Sequence, residues 1–334
     1  MTNRASGTHP VPDARIVSTT MAHRIAVQCA DSTVTTRLRE WLDAGRLEPP
    51  RPLELAITVA EPPPLATADD RLAFRQPSVA IHVSGEPRGE IVRIVWDTAP
   101  ALAVIGERPD SARVTLSPAA VARLEESKRT FLTTVLVFLL RRVGWHHVHA
   151  ATAIDPGGRG WLFAGNSGAG KSTTAALLAT RGWQIGTDDT AFLASGSGGS
   201  GGRVAVIGFR EALALRPGGV ALLDRLGRRG VALRARGKTG YRPEDLGGQW
   251  TPRVEPDVLC FTTIGDELTS VSPLGPGDTL AALVRWSAWV ILEPALADHH
   301  LQLITALARQ AKSYRVTLGR DLFEQHLALE ELLP

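Results

Sequence analysis

Residues 161–189 read WLFAGNSGAGKSTTAALLATRGWQIGTDD, and this stretch decides the fold. The apolar run Trp161 to Ala164 predicts a buried strand, and Ser172 to Thr180 predicts a helix that ends before Gly182. A second strand, Gln184 to Asp189, carries two adjacent aspartates. Strand, glycine-rich loop, helix and strand in this order indicate an α/β protein.

The loop matches the pattern G-x-x-x-x-G-K-[ST] in full. Its glycines allow backbone N–H groups to turn towards phosphate oxygens, and the start of the helix adds a positive dipole end. The alternative is a glycine-rich turn with an accidental lysine. The predicted nucleotide-binding residues are Gly165, Asn166, Ser167, Gly168, Ala169, Gly170, Lys171, Ser172 and Thr173. The expected ligands are ATP and Mg²⁺, with Lys171 on the phosphates and the Ser172 hydroxyl on the metal.

Asp188 and Asp189 follow the helix after only one short return segment. One carboxylate can hold Mg²⁺ and the other can accept a proton from an incoming hydroxyl. Neighbouring residues of a strand point to opposite faces, so both roles need a local bend. The alternative is that one aspartate is only a turn or cap residue.

The regions around this stretch predict the remaining organisation. HVHAATAI and GRGWLFAG predict two strands around the turn at 155–158, and Ser117-Pro118 predicts the start of a helix that ends near Gly144. Upstream, five Val- and Ile-rich segments predict strands, with a short helix from Thr35 to Ala44. We therefore expect a disordered lead-in (1–21), a smaller β-rich α+β domain of unknown role (22–115) and a P-loop kinase domain (116–334).

Downstream of the aspartates the pattern is weaker. SGSGGSGG at 195–202 predicts a flexible loop between two strands, EALALRPGG a strand that ends in a turn, and 225–253 a loop. VLCFTTI predicts a buried strand with a second short one near 271. Helices are expected near 278–290, 296–310 and 321–332, with KSYRVTLG as a strand between the last two.

At this point a resemblance emerges. The segment 149–193 resembles the C-terminal catalytic domain of the HPr kinase/phosphorylase family, which belongs with the phosphoenolpyruvate-carboxykinase-like kinases. The shared features are a strand that bears a histidine, a loop of the G-x-S-G-x-G-K-S type, a helix ending in Arg-Gly and a strand ending in Asp-Asp. The family's downstream signature for contacting HPr and its regulatory N-terminal domain are not found here. The chain therefore looks like a divergent member with a mixed-sheet kinase domain.

The resemblance implies a serine kinase with Asp188 as the general base, and with Asp189 and Ser172 supporting Mg²⁺. Lys171 would hold the triphosphate, and His149 would sit beside the site as a catalytic group; a core histidine is the alternative reading for His149. The acceptor would be a Ser of a peptide or protein, or a small metabolite. Relatives often assemble, so a homo-oligomer is also expected.

Three basic residues are further candidates for contacts with phosphate or substrate: Arg216, Lys238 and Arg242. Lysine is scarce in this chain, which singles out Lys238, and loops of this kind often close over bound substrate. The alternative for each is a basic side chain that is only solvated.

Composition sets the outer limits. A net charge of +3 from 37 basic and 34 acidic residues gives no reason to expect nucleic acid as a partner. The two cysteines stand far apart in apolar stretches, no signal peptide is visible, and no apolar run is long enough to cross a membrane. We expect a cytoplasmic protein. The alternative to a kinase is a nucleotide-binding regulator or scaffold with little or no phosphotransfer.

Overall fold

The computed structural model describes residues 24–65, 71–76, 78–86, 89–196, 202–233, 237–265 and 268–321. These residues form a mixed α/β structure with two large sheets and a small one. The α/β class is therefore confirmed. The boundary between a β-rich domain and a kinase domain at residue 116 stays a prediction.

The N-terminal sheet has seven strands in the order β1-β2-β7-β6-β5-β4-β3. A helix, α1 (Ser32–Gly45), connects β1 to β2, which pair in parallel. The Asp31 side chain caps it by accepting from the Val34 N–H at 2.9 Å. The five predicted strands and the helix are confirmed, and the structure adds β3 and β6. The strands are β1 (Ile25–Cys29), β2 (Leu53–Val59), β3 (Arg71–Arg75), β4 (Val79–Glu86), β5 (Gly89–Trp96), β6 (Ala101–Ile105) and β7 (Ser111–Leu116).

The helix predicted after Ser117 is present but interrupted. Ser117 Oγ accepts from the Ala120 N–H at 3.1 Å, and Pro118 occupies the first helical position, as the sequence predicts. A π-helical turn (Lys128–Leu132) then separates α2 (Pro118–Ala122) and α3 (Leu124–Ser127) from α4 (Thr133–Arg141). The apolar residues of α4 are buried in one core with the seven-stranded sheet, which explains why this helix is apolar all round.

The described residues from 146 onward build a ten-stranded mixed sheet, with β8 and β9 as an antiparallel pair near its centre, and a separate small sheet of three strands. In chain order the elements are β8 (His146–Ile154), β9 (Gly160–Ala164), α5 (Lys171–Thr180), β10 (Gln184–Thr187), β11 (Thr190–Ser195), β12 (Val204–Gly208), β13 (Leu213–Leu215), α6 (Pro217–Arg225), β14 (Val231–Leu233), β15 (Lys238–Tyr241), α7 (Pro243–Leu246), β16 (Gln249–Trp250), β17 (Arg253–Val254), β18 (Pro256–Ile264), β19 (Ser270–Pro273), α8 (Pro276–Arg285), a 3₁₀ turn (Ala288–Ile291), α9 (Pro294–Gln310) and β20 (Lys312–Leu318).

Helices cover both faces of this sheet. On β9, Trp161 and Phe163 pack with residues of α5, whereas Leu162 points the other way and packs with residues of α9. Successive strand residues alternate between faces, so a strand covered on both sides must be apolar throughout. The buried run Trp161 to Ala164 is thereby explained.

Two predictions for the segment after β12 are wrong. The turn expected after β13 is instead the start of α6, because Pro217 at its first position suits a helix as well as a turn. The loop expected over 225–253 contains β14, β15, α7, β16 and β17. These elements are two to four residues long, and β13, β15 and β14 pair only with one another. Such short elements carry no local periodicity that a sequence pattern could reveal.

The strands predicted at VLCFTTI, near 271 and at KSYRVTLG are confirmed as β18, β19 and β20, and α8 and α9 confirm the two helices before β20. The helix predicted at 321–332 lies outside the described residues, apart from position 321. Among the residues described, no helix is both long and apolar enough to cross a membrane.

Candidate functional site

The glycine-rich loop joins the end of β9 to the start of α5. Gly168 and Gly170 have φ values of 88° and 87°, which non-glycine residues rarely adopt. At Gly165 a Cβ would lie 2.5 Å from the carbonyl oxygen of Thr262 on β18, so only glycine fits. No side chain caps α5, which leaves its first N–H groups open for an anion.

Lys171 is buried at the start of α5, and its ammonium group is held by the loop itself. Nζ donates to the carbonyl oxygens of Gly165 at 2.8 Å and Asn166 at 3.2 Å, and to His149 Nε2 at 3.0 Å. Burial lowers the pKa of Lys171; Asp189 and Asp188 oppose that shift, and Lys238 adds to it. A charged ammonium in this position needs nearby anions, and phosphate oxygens would supply them.

His149 on β8 connects Lys171 to Asp189. Its Nε2 accepts from the lysine, so Nδ1 carries the proton and faces Asp189 Oδ1 at 3.2 Å. Burial lowers the pKa of His149; Asp189 opposes this shift and Lys171 adds to it. A neutral ring therefore links a cation and a carboxylate.

The two aspartates both reach the site because β10 ends at Thr187. The pairing of β10 with β8 shifts register between Ile185 and Thr187, and residues 188 and 189 lie in a bend. This is the local bend that the sequence required. Asp188 is 5% exposed and its Oδ2 accepts from the Ala214 N–H at 3.3 Å, whereas the Asp189 side chain is 53% exposed.

These groups line a single cavity of about 380 Å³. Five cations and two carboxylates contribute to its wall, which suits a polyanionic ligand. The lining residues include His149, Ser167, Gly168, Gly170, Lys171, Ser172, Thr173, Asp188, Asp189, Arg216, Arg225, Lys238 and Arg320.

The structure separates the three basic candidates. Arg216, directly before α6, and Lys238, the first residue of β15, both line the cavity. Arg242 stands before α7, is exposed, and does not line it. Sequence reasoning missed Arg225 and Arg320, because nothing in their neighbours distinguishes them from other surface arginines.

The donor set suits Mg²⁺ only together with phosphate. In the described parts of the chain, no group of three or more His, Cys, Asp or Glu side chains is placed to hold a metal ion. Ser172 and Asp189 line the cavity and offer one hydroxyl and one carboxylate. Mg²⁺ commonly takes one or two protein oxygens and completes its shell with phosphate and water, so these two residues fit it.

A scan against protein-family models gives no match to the chain, and a search of the curated proteins gives none either.

Proposed function

We propose that this protein is an ATP-dependent kinase that transfers the γ-phosphoryl group to an acceptor hydroxyl. We further propose that it is a divergent HPr-kinase-related enzyme with a phosphoenolpyruvate-carboxykinase-like domain. One observation carries the proposal: the phosphate loop, Lys171 and the Asp188–Asp189 pair surround the same cavity. A phosphate loop alone indicates nucleotide binding, whereas a buried carboxylate beside it offers a base for transfer.

In this proposal the loop and the start of α5 hold the triphosphate. Their open N–H groups receive phosphate oxygens, and Lys171 exchanges its bonds to the Gly165 and Asn166 carbonyls for bonds to phosphate. His149 contacts Lys171 through Nε2 and Asp189 through Nδ1, and so restrains both side chains. The ammonium needs to move little to reach its new partners.

Asp188 and Asp189 have different roles in this proposal, one in proton transfer and the other in binding the metal ion. Asp188 is buried and held by the Ala214 N–H, and its carboxylate can accept the proton of the acceptor hydroxyl. Asp189 is more exposed and, with Ser172, would hold Mg²⁺. When bound, Mg²⁺ supplies positive charge that neutralises the phosphate oxygens.

The test uses γ-labelled ATP with Mg²⁺ and an extract of the native host, divided into protein, peptide and small-molecule pools. Wild type is compared with Asp188→Asn. The matched control is Asp97→Asn, which changes an aspartate of the N-terminal sheet paired with Arg75. We expect Asp188→Asn to lower transfer by roughly 10²- to 10⁴-fold, the range for a lost general base, while nucleotide affinity stays within about twofold.

Two outcomes would contradict the proposal in different ways. Full transfer by Asp188→Asn would remove Asp188 as the base. Label that appears only as free phosphate, or nowhere despite tight nucleotide binding, would favour a nucleotide-binding regulator instead.

A further inference from the structure

Four cations around the cavity lack an anionic partner. Within the described residues, Arg216, Arg225, Lys238 and Arg320 form no hydrogen bond or ion pair with the rest of the chain. Nearby arginines behave differently: Arg229 pairs with Asp224 at 2.8 Å and Arg210 with Glu244 at 2.7 Å. Unpaired cations gathered around one concavity create a positive field that attracts an anion.

Two of these cations lie at the phosphate loop. A Cβ on Gly168 would lie 3.7 Å from Arg216 Nη1, which places that guanidinium against the loop. Lys238 lies close enough to Lys171 for its charge to lower the lysine's pKa. Both positions suit contact with the triphosphate.

The other two cations belong to other parts of the wall. Arg225 is the last residue of α6, and Arg216 stands directly before its first. At a rise of 1.5 Å per residue, their Cα atoms are about 13 Å apart along the helix axis. Arg320 stands two residues after the end of β20 at Leu318, and the side chains of Leu318 and Ile264 lie over Gly170. The wall also includes the apolar side chains of Leu222 and Ile264.

Charge balance indicates what these two arginines are for. The five cations of the wall and a bound Mg²⁺ carry about seven positive charges, whereas Asp188, Asp189 and a triphosphate together carry about six negative charges. About one positive charge is left for a further anion, and Arg225 and Arg320 are the two cations not already placed at the loop. The cavity holds about 380 Å³, and the triphosphate would take part of it, so the space left for an acceptor suits a small molecule rather than a peptide strand, which needs a long groove.

We propose that the acceptor is a small molecule that carries a hydroxyl and a separate carboxylate or phosphate group, and that Arg225 and Arg320 bind this anionic group. The inference rests on the kinase activity proposed above and narrows its acceptor from peptide, protein or metabolite to an anionic metabolite. In the transfer step the acceptor oxygen forms a bond to the γ-phosphorus, and its proton passes to Asp188. The bond from the γ-phosphorus to the β,γ-bridging oxygen breaks, and ADP leaves.

A binding experiment tests the anionic subsite without any turnover. The protein is saturated with a non-hydrolysable ATP analogue and Mg²⁺, then titrated by calorimetry with glycerol 3-phosphate, glycerate and serine. Glycerol, serinol and ethanolamine are the probes without an anionic group. We expect at least one anionic probe to bind one saturable site, and its counterpart without the anionic group to bind about tenfold or more weakly, because a charged hydrogen bond is lost.

Variants assign that binding to the two arginines. Arg225→Gln and Arg320→Gln should each weaken the anionic probe about tenfold or more, with the affinity of the ATP analogue changed by less than about twofold. Arg309→Gln, an exposed arginine of α9 outside the cavity, is the control and should change neither. If no anionic probe binds, or if both variants weaken the nucleotide and leave the probe unaffected, the proposal is wrong.

Labelled transfer separates this inference from the activity on which it rests. Transfer from γ-labelled ATP into the small-molecule pool, with a raised acceptor KM in the two variants, supports both. Transfer only into the protein or peptide pool keeps the kinase and overturns the anionic small acceptor. Absence of transfer into any pool overturns the kinase itself.

Discussion

Two polar clusters lie on opposite faces of one strand, β8, and they differ in whether a ligand can reach them. His149 follows His146 by three positions, an odd spacing that points the two rings to opposite faces of the sheet. His149 belongs to an open cluster with Lys171, Asp188 and Asp189, around the cavity. His146 belongs to an enclosed cluster with Arg141, Glu293 and His300.

The enclosed cluster is held by contacts within the protein, although Arg141 Nη2, His146 Nδ1 and both ring nitrogens of His300 are buried without a hydrogen-bond partner. Glu293 is 0% exposed, lies 2.8 Å from Arg141 Nε, and also pairs with Arg142. His146 Nε2 is 2.9 Å from His299 Nδ1, and the rings of His146 and His300 stack at 4.7 Å. Burial raises the pKa of the Glu293 carboxyl, and Arg142 and Arg141 oppose that shift.

Buried charge alone therefore does not identify a functional site. Both clusters contain buried ionisable groups with shifted pKa values, yet only the open one adjoins a cavity that a ligand can enter. Substitutions in the enclosed cluster should therefore lower stability, and those in the open cluster should lower ligand binding or transfer.

The largest effect is expected from Glu293→Ala. It leaves Arg141 buried without its carboxylate, and breaking a buried ion pair typically costs about 3–5 kcal/mol of unfolding free energy. Urea unfolding measures it. The control is Glu255→Ala, which removes a half-exposed partner of Arg253 and should cost less than about 1 kcal/mol. Equal, small losses for both would contradict the distinction between the clusters.

Lys171→Met should weaken nucleotide binding and leave the free energy of unfolding nearly unchanged. Removing a charged hydrogen bond to phosphate should weaken nucleotide binding by roughly 10- to 100-fold. Unfolding free energy should stay within about 1 kcal/mol of wild type, because burial already disfavours the charged ammonium. Calorimetric titration and urea unfolding measure the two quantities, with the exposed Lys312→Met as the control. A stability loss as large as that of Glu293→Ala would place Lys171 among the structural charges.

Acid should destabilise the enclosed cluster. Burial, together with the charge of Arg141, lowers the pKa of His146 to about 3 and of His300 to about 2. Both rings stay neutral in the folded protein and take up protons when it unfolds. Their contribution is thus complete above the unfolded pKa near 6.5, and it is lost as the pH falls from there towards about 3.

The corresponding measurement is urea unfolding of wild type and His300→Leu at pH 7 and 5.5. Each histidine should contribute about 1.4 kcal/mol of lost stability per pH unit below about 6.5. The free energy of unfolding of His300→Leu should therefore fall less steeply with decreasing pH, by about that amount. An unchanged slope would show that His300 is already protonated in the folded state.

The smallest effect is expected from His149→Gln. Burial lowers the pKa of His149, so the neutral ring predominates in the folded protein between pH 6.5 and 8. We expect transfer to fall by less than about tenfold, since a neutral hydrogen-bonding side chain remains, and the pH profile over this range to keep its shape. A titration near pH 6.5 that disappears in the variant would instead make His149 a proton-transfer group.

Local sequence carried the prediction of the site's framework. The two strands before the loop, the helix after it and the bend that brings both aspartates to the cavity follow from glycine positions and apolar runs between residues 146 and 189. These features depend on neighbours in sequence, which a pattern can capture.

The parts that were not predicted depend on distant contacts. Arg225 and Arg320 reach the cavity because α6 and the end of β20 pack beside it. The partner of Arg141, Glu293, stands about 150 residues further along the chain. The short elements between β13 and β17 owe their conformation to one another, so their individual propensities are uninformative.

The pairing of β9 has a consequence for how the site assembles in time. One neighbour, β8, is its hairpin partner, but the other, β18, pairs in parallel with Trp161 opposite Val258, about 100 residues later. Closing so long a connection is entropically costly before the contacts form, and parallel pairing of this kind is slow. Gly165 also needs the close approach of Thr262 on β18. We therefore expect the glycine-rich loop to reach its final shape during synthesis only after β18 has emerged and docked.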